Sequence, residues 1–297
     1  MSTERPESYT RVYLAMLATI LIWAFNYVFA KVALEYIDPM AFNALRYLVA
    51  ASIVVSWWRW QGESEKLSKC DFWLMLGIGL WGYGLYQIFF IVGLKFTTAG
   101  NSALFGATAP LWTALLGLFL GRERLSALSW VGIVLALVGV STVILGGQAH
   151  VSLNPSQILG DLLIIVSTMI WASFTVMSKA PLARHSYTQF VALGISAGAI
   201  LLLIAGAPAL VSLDWAGVPW WVYLVIFFSG ALSNAAAYLM WANAVAKVGP
   251  ARTSIFLNLN PVLTLILGVV TLNEPIVLLQ IIGAMAVLLG VWWTTRS

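Results

Sequence analysis

Ten stretches of this chain are apolar over about 20 residues each, the length an α-helix needs to cross the hydrocarbon core of a bilayer. They lie near 11–34, 39–60, 71–94, 98–120, 126–146, 157–180, 187–208, 218–244, 250–271 and 276–295. Water is not available to the backbone of such a stretch, so a helix is the way it satisfies its own N–H and C=O groups. The connections are short and leave no room for a soluble domain; the longest polar ones are 61–71 and 148–156. Composition agrees, with 61% of the 297 residues hydrophobic and 9% charged. A soluble domain carries roughly 25% charged residues, and so little polar surface could not coat a globule in water. The single cysteine, Cys70, excludes an intrachain disulfide. The first apolar run is too long for a signal-peptide core and reads as a retained span. A net charge of +4 calls for no nucleic-acid partner; the expected partners are a small-molecule substrate and the lipid bilayer. No oligomeric state is fixed, and a monomer satisfies the sequence.

The chain repeats itself. Residues 101–139 read NSALFGATAPLWTALLGLFLGRERLSALSWVGIVLALVG and 252–290 read RTSIFLNLNPVLTLILGVVTLNEPIVLLQIIGAMAVLLG. Pro110, Glu123, Gly132 and Gly139 match Pro261, Glu274, Gly283 and Gly290 at one constant offset. Tyr83, Gln87 and Phe90 match Asn234, Tyr238 and Trp241 at the same offset, and Trp23 and Lys31 match Trp171 and Lys179 at one three residues shorter. Two copies of one unit are expected: 1–148 and 157–297, five spans each, joined by a linker at 149–156. An odd number of spans turns the second copy upside down in the membrane, the arrangement of many transporters.

Basic residues give the orientation. With the N-terminus inside, Arg5, Arg11, Arg59, Lys66, Lys69, Arg122, Arg124, Lys179, Arg184, Lys247, Arg252 and Arg296 all fall at the cytoplasmic face. Lys31 and Lys95 fall towards the other side, and Arg46 lies within the second span. Both termini are expected in the cytoplasm. Glu123, flanked by two arginines, is placed inside, and Glu274, flanked by Asn273 and Pro275, outside.

The opening IWAFNYVFAKVAL, the second span PMAFNALRYLVAA, the segment GLKFTTAGNSALFGATAPLWTALLGLFLGRERL and the ending NEPIVLLQIIGAMAVLLGV come in an order and spacing that cover nearly the whole chain. Together they resemble the drug/metabolite transporter superfamily, its EamA-like ten-helix branch, and within it the YddG-type amino-acid exporters. The resemblance implies an all-α membrane protein of ten transmembrane helices in two inverted five-helix EamA-like repeats, set in a bacterial inner membrane. It implies a substrate cavity between the halves and export of amino acids, aromatic ones among the candidates, and of some organic cations.

Candidate site residues come from polar and aromatic groups placed within spans, where an amide or phenol costs several kcal/mol unless it finds a partner. In the third span Tyr83, Gln87 and Phe90 share a helical face, as do Asn234, Tyr238 and Trp241 in the eighth. Trp23, Asn26 and Tyr27 share one in the first span; Trp171 and Phe174, with Thr175, in the sixth; Asn101, with Phe105, Thr108 and Trp112, in the fourth. The expected substrate-binding set is Trp23, Asn26, Tyr27, Tyr83, Gln87, Asn101, Trp171, Phe174, Asn234, Tyr238 and Trp241. Plain packing is the competing role for each. Aromatic faces with hydrogen-bonding tips suit a neutral or zwitterionic ligand with an apolar part, and cation–π contact would admit organic cations. Arg46 either bonds span-end carbonyls or snorkels to the interface, or it faces a substrate carboxylate. Pro110 and Pro261 free the carbonyls of Gly106 and Leu257 and are expected as a paired hinge or as static kinks.

No acid lies deep in a span; Asp161 stands in the first turn of the sixth, as an interfacial cap. The small multidrug-resistance relatives use a carboxylate in their first span, and this first span has none, which favours facilitated diffusion over proton antiport. A proton-coupled drug or cation efflux pump is the alternative. Metal-ligand clusters, nucleotide loops and catalytic triads are absent from the sequence, so no metal, no cofactor and no enzymatic activity is expected. A membrane-embedded enzyme would need a polar catalytic cluster near one face, and a receptor would carry a soluble domain.

Overall fold

A computed structural model describes residues 6–62, 67–119, 126–146, 154–249, 253–272 and 277–296. Among them there is no strand. The helices are α1 (Pro6–Ala33), α2 (Pro39–Trp60), α3 (Lys69–Gly79), α4 (Tyr86–Phe96), α5 (Ala99–Gly106), α6 (Ala109–Phe119), α7 (Ala127–Gly146), α8 (Pro155–Leu182), α9 (Tyr187–Val211), α10 (Trp220–Phe228), α11 (Ala237–Val248), α12 (Asn260–Leu272) and α13 (Leu278–Arg296). A π-helical segment, Leu80–Leu85, joins α3 to α4, and another, Ser229–Ala236, joins α10 to α11. A 3₁₀ turn, Ile255–Leu259, precedes α12. Six continuous helical stretches are long and apolar enough to cross a membrane: Thr10–Ala33, Pro39–Trp60, Lys69–Phe96, Pro155–Leu182, Tyr187–Val211 and Trp220–Val248. Shorter apolar helices lie at Trp130–Gly139 and Leu278–Gly290. Glu123, Glu274 and their flanking residues fall outside the described residues.

Local chemistry sets the helix starts. Asp38 accepts from the backbone N–H of Met40 at 2.7 Å and of Ala41 at 3.3 Å, with Pro39 next in the chain, so α2 begins with a cap and a residue that needs no partner. Ser68, Thr98 and Ser186 cap α3, α5 and α9 in the same way. Asn154 caps α8, whose first residue is Pro155, inside the stretch expected as linker. Hydroxyls within the helices bond back to their own turn, as Thr19 does to Ala15 and Thr175 to Trp171, both at 2.9 Å, which hides them from an apolar surround. The outward faces carry exposed Leu14, Leu21, Ile200, Ile204 and Val270, side chains suited to lipid.

Helices meet where glycines let backbones touch. A Cβ on Gly79 would lie 2.3 Å from Gly194 Cα, and one on Gly230 would lie 2.6 Å from the Arg46 carbonyl oxygen. Under the repeat offsets Gly79 maps to Gly230 and Gly194 to Arg46, so one contact is the image of the other. The pair α7 and α13 repeats the relation: Gly139 sits against the Gly283 carbonyl and Gly290 against the Gly132 carbonyl. Copies related by a two-fold axis make contacts in such reciprocal pairs. Gly194 and Gly198, which carry the close-approach spacing, form a notch that seats the ring and backbone of Tyr83.

The two prolines do not stand inside continuous helices. α5 stops at Gly106 and α6 restarts at Ala109, so Pro110 occupies the first turn of a new helix; Pro261 holds the same place in α12, after its 3₁₀ turn. Both missing N–H groups fall where a helix start would leave them unpaired in any case.

Candidate functional site

A cavity is lined by residues from both matching parts of the chain. Its walls are Trp23, Asn26 and Tyr27 of α1, Tyr86, Gln87 and Phe90 of α4, Ile164, Ser167, Thr168 and Trp171 of α8, and Ser233, Asn234 and Tyr238 beside the second π segment. Gly106, Leu257 and Asn260 complete it at the two helix breaks. Gly106 and Leu257 are matched positions, so each half turns its proline break to the same space. Gln87 Nε2 donates to Tyr238 Oη at 2.7 Å, and the two are matched positions. Trp23 and Trp171, also matched, meet edge to face with centroids 5.9 Å apart.

The cavity is about 50 Å³. A water needs at least about 10–15 Å³ on this measure, so a few waters fit and an amino acid does not. Larger apolar grooves of about 540 and 520 Å³ lie elsewhere, the first at Trp81, Phe89, Trp112 and Met169, the second at Trp130, Val134 and Trp293. They have almost no polar lining and lie on faces suited to lipid chains, so the small central cavity is the better site.

Aromatic rings form one side of it. Trp171 stacks near Tyr238 at 5.8 Å and packs on Tyr86 at 5.2 Å, while Trp23 Nε1 donates to the Ser233 carbonyl at 3.1 Å. Polar tips form the other. Asn26 Oδ1 accepts from the Ser229 hydroxyl, and Asn234 is buried at the wall with its side-chain nitrogen unpartnered. Behind the wall, Arg46 is fully buried and donates to Gln87 Oε1 at 2.6 Å and to Asn43 Oδ1 at 2.8 Å. It does not snorkel to an interface.

A profile of the EamA-like transporter family matches residues 10–145 and again residues 158–296, one match in each half. This chain belongs to the EamA-like transporter family. An uncharacterized transporter of Archaeoglobus fulgidus is 28% identical over 293 residues, covering 97% of this chain and 98% of the relative. The YyaM uncharacterized transporter of Bacillus subtilis is 28% identical over 290 residues, covering 94% and 92%. A probable amino-acid metabolite efflux pump of Salmonella typhimurium is 26% identical over 298 residues, covering 94% and 93%. A crystal structure of a protein 20% identical superposes with a TM-score of 0.68 over 96% of this chain and 98% of the other, which speaks for the shared fold.

Within this EamA-like chain, seven of the eleven expected residues line the cavity: Trp23, Asn26, Tyr27, Gln87, Trp171, Asn234 and Tyr238. Three stand one layer back. Tyr83 lies between Phe174 at 4.9 Å and Tyr238 at 4.8 Å, Phe174 packs on Trp171 at 5.2 Å, and Trp241 backs Trp23 at 5.4 Å. Asn101 is elsewhere. Its Oδ1 accepts from Gln280 Nε2 at 3.0 Å, in a cluster with Thr97 and Asp161 at the ends of α4 and α8. Asp161 is seven residues into α8, fully buried, and accepts from the Thr97 hydroxyl, so it is not an exposed interfacial cap.

Tyr86 lines the cavity and is not among the expected residues, although three residues from Tyr83 and four from Phe90 put it on the same helical face. What departs from a regular face is Tyr83: the π segment at Leu80–Leu85 adds a residue to one turn and sets it out of line with the residues beyond. Tyr83 then turns to α9 and Tyr86 enters with Gln87 and Phe90. The glycines at 79, 82 and 84 are the signal the sequence offers: a Cβ on Gly82 would lie 2.0 Å from the Phe174 ring, so this stretch needs its bare backbone.

Proposed function

We propose that this protein exports amino acids, neutral ones including aromatic ones, through the central cavity by alternating access, as the YddG-type exporters that it resembles are expected to do. The observation that carries the reading is the lining itself: aromatic faces with amide and hydroxyl tips, contributed in matched pairs by both halves. The printed name of the Salmonella relative, a probable amino-acid metabolite efflux pump, points to the same substrates. Two inverted halves of five crossings each, with both termini on the cytoplasmic side of the bacterial inner membrane, complete the proposal; the reciprocal glycine contacts and the bias of basic residues support it. The helix breaks at Pro110 and Pro261 adjoin the cavity from opposite halves and serve as paired hinges.

No carboxylate lines the cavity among the described residues, which favours facilitated movement. One observation favours the second reading, proton-coupled efflux: Asp161 is buried, is held by Thr97, and joins helices of both halves through Asn101 and Gln280. Purified protein in liposomes separates the two. Flux of an amino-acid panel without a pH gradient supports the facilitator, and flux only with the gradient supports antiport through Asp161. No amino-acid flux with robust movement of organic cations refutes the amino-acid reading.

A further inference from the structure

We propose that Arg46 is the anion site of this cavity: the carboxylate of a substrate displaces Gln87 Oε1 from the guanidinium. The inference deepens the export reading and rests on it for the cavity. Arg46 is a cation with no exposed surface. The titratable groups close enough to feel its charge are the phenols of Tyr47, Tyr86 and Tyr238; no carboxylate among the described residues is paired with it. A buried charge without a counter-charge is expensive, on the order of several kcal/mol. Structures that keep one in a membrane span generally use it.

The present partners of Arg46 are neutral carbonyl oxygens that stand where a carboxylate could stand. Gln87 Oε1 accepts at 2.6 Å and Asn43 Oδ1 at 2.8 Å, the Phe42 ring lies 5.1 Å away, and Nη1 has no hydrogen-bond partner at all. Asn43 is itself pinned, its side-chain nitrogen donating to the Gln87 backbone carbonyl at 2.8 Å. Gln87 is the movable member: its side chain lines the cavity on one side and holds Arg46 on the other. Its amide nitrogen donates to Tyr238, so one side chain closes the space across the axis and covers the charge. A carboxylate that takes two guanidinium donors gains charge-assisted bonds an amide cannot match. It also releases Gln87 from Tyr238, which opens a cavity too small for substrate. At the wall, the unpartnered Asn234 nitrogen supplies a further donor for an acceptor-rich group.

The site is one-sided. Arg46 maps onto Gly194 and Asn43 onto Val191 in the second half, so the near-symmetric cavity has its cation on one flank. A zwitterion would therefore bind in one orientation, carboxylate to α2 and apolar part to the Trp23–Trp171 side.

The test is equilibrium binding of radiolabelled L-phenylalanine to the purified full-length protein, with L-phenylalaninamide as competitor at about pH 6, where both α-amines are protonated. The amide is expected to compete at least about 10-fold more weakly than the acid, the scale of a lost charged hydrogen bond. Arg46→Gln should erase that preference, Arg46→Lys should keep part of it, and Gln87→Ala, which removes the competing amide, should tighten the acid. A purely structural Arg46 would not produce a tighter Gln87→Ala. Equal competition by the amide in the unaltered protein, or a preference that survives Arg46→Gln, overturns the proposal. Phenylpyruvate, a carboxylate without an amine, separates the two readings. Arg46-dependent binding of phenylpyruvate without binding of L-phenylalanine keeps the anion site and refutes amino-acid export. Binding of neither acid refutes the anion site.

Discussion

At the scale of single residues, the site hangs on Gln87 and Tyr238. The Tyr238 hydroxyl accepts from Gln87 at 2.7 Å and lies 3.4 Å from the Tyr47 hydroxyl. Tyr238→Phe leaves the Gln87 donor buried and unpaired, which costs about 1–3 kcal/mol. Lower thermal stability is expected; an unchanged melting temperature would mean that the bond contributes nothing. Trp171→Ala removes a ring that touches Trp23, Tyr86, Phe174, Tyr238 and Trp241. The expected result is a loss of substrate affinity larger than any loss of folded protein, measured by binding to the monodisperse fraction. Residue identity is largely legible in the sequence here, because polar and aromatic groups inside apolar runs are few. Burial is not. Arg46 and Asp161 both lie in the first turns of their spans, where a side chain can as well reach an interface, and only the packing of the second π segment and of α4 around them decides that neither does.

At the scale of elements, the informative feature is the pair of π segments. Leu80–Leu85 and Ser229–Ala236 overlap under the repeat offset, so both halves carry the same irregularity just before their central polar residues, Gln87 and Tyr238. A regular helical wheel drawn through Tyr83, Gln87 and Phe90 therefore puts Tyr83 on the wrong face. Inserting one alanine between Leu85 and Tyr86 adds a residue beyond the π segment and should turn Gln87 away by about 100°, the rotation of one α-helical residue. Substrate binding should be lost while the protein still inserts and purifies, and retained binding would show that the π geometry does not aim the site. The breaks at Pro110 and Pro261 make a separate prediction. The double variant Pro110→Ala, Pro261→Ala restores both missing N–H groups and favours continuous helices across the breaks. Slower flux with unchanged binding is expected of hinges; unchanged flux would mark them as static kinks. The prolines locate both breaks in the sequence, but they point to helix interiors because the stops at Gly106 and Leu259 carry no signal of their own.

At the scale of the whole molecule, membrane class and duplication are legible because both are carried by long, regular patterns. Apolar runs declare the class, and the recurrence of Pro, Glu and Gly at one spacing declares the repeat, which the two family matches show independently. The cavity's size is not legible: a set of lining residues does not tell a 50 Å³ space from one that admits a substrate. The central claim is that this one space, lined by both halves, is reached from each face of the membrane in turn. Ser167 reports on it directly, being small, buried and at the cavity wall. In a Cys70→Ser background, which removes the single native and exposed thiol, Ser167→Cys places one thiol in the cavity. Labelling by a membrane-impermeant thiol reagent, applied to right-side-out and to inside-out vesicles, is the measurement. Alternating access predicts labelling from both sides, slowed from both by the transported amino acid. Labelling from one side alone, or from neither, contradicts it.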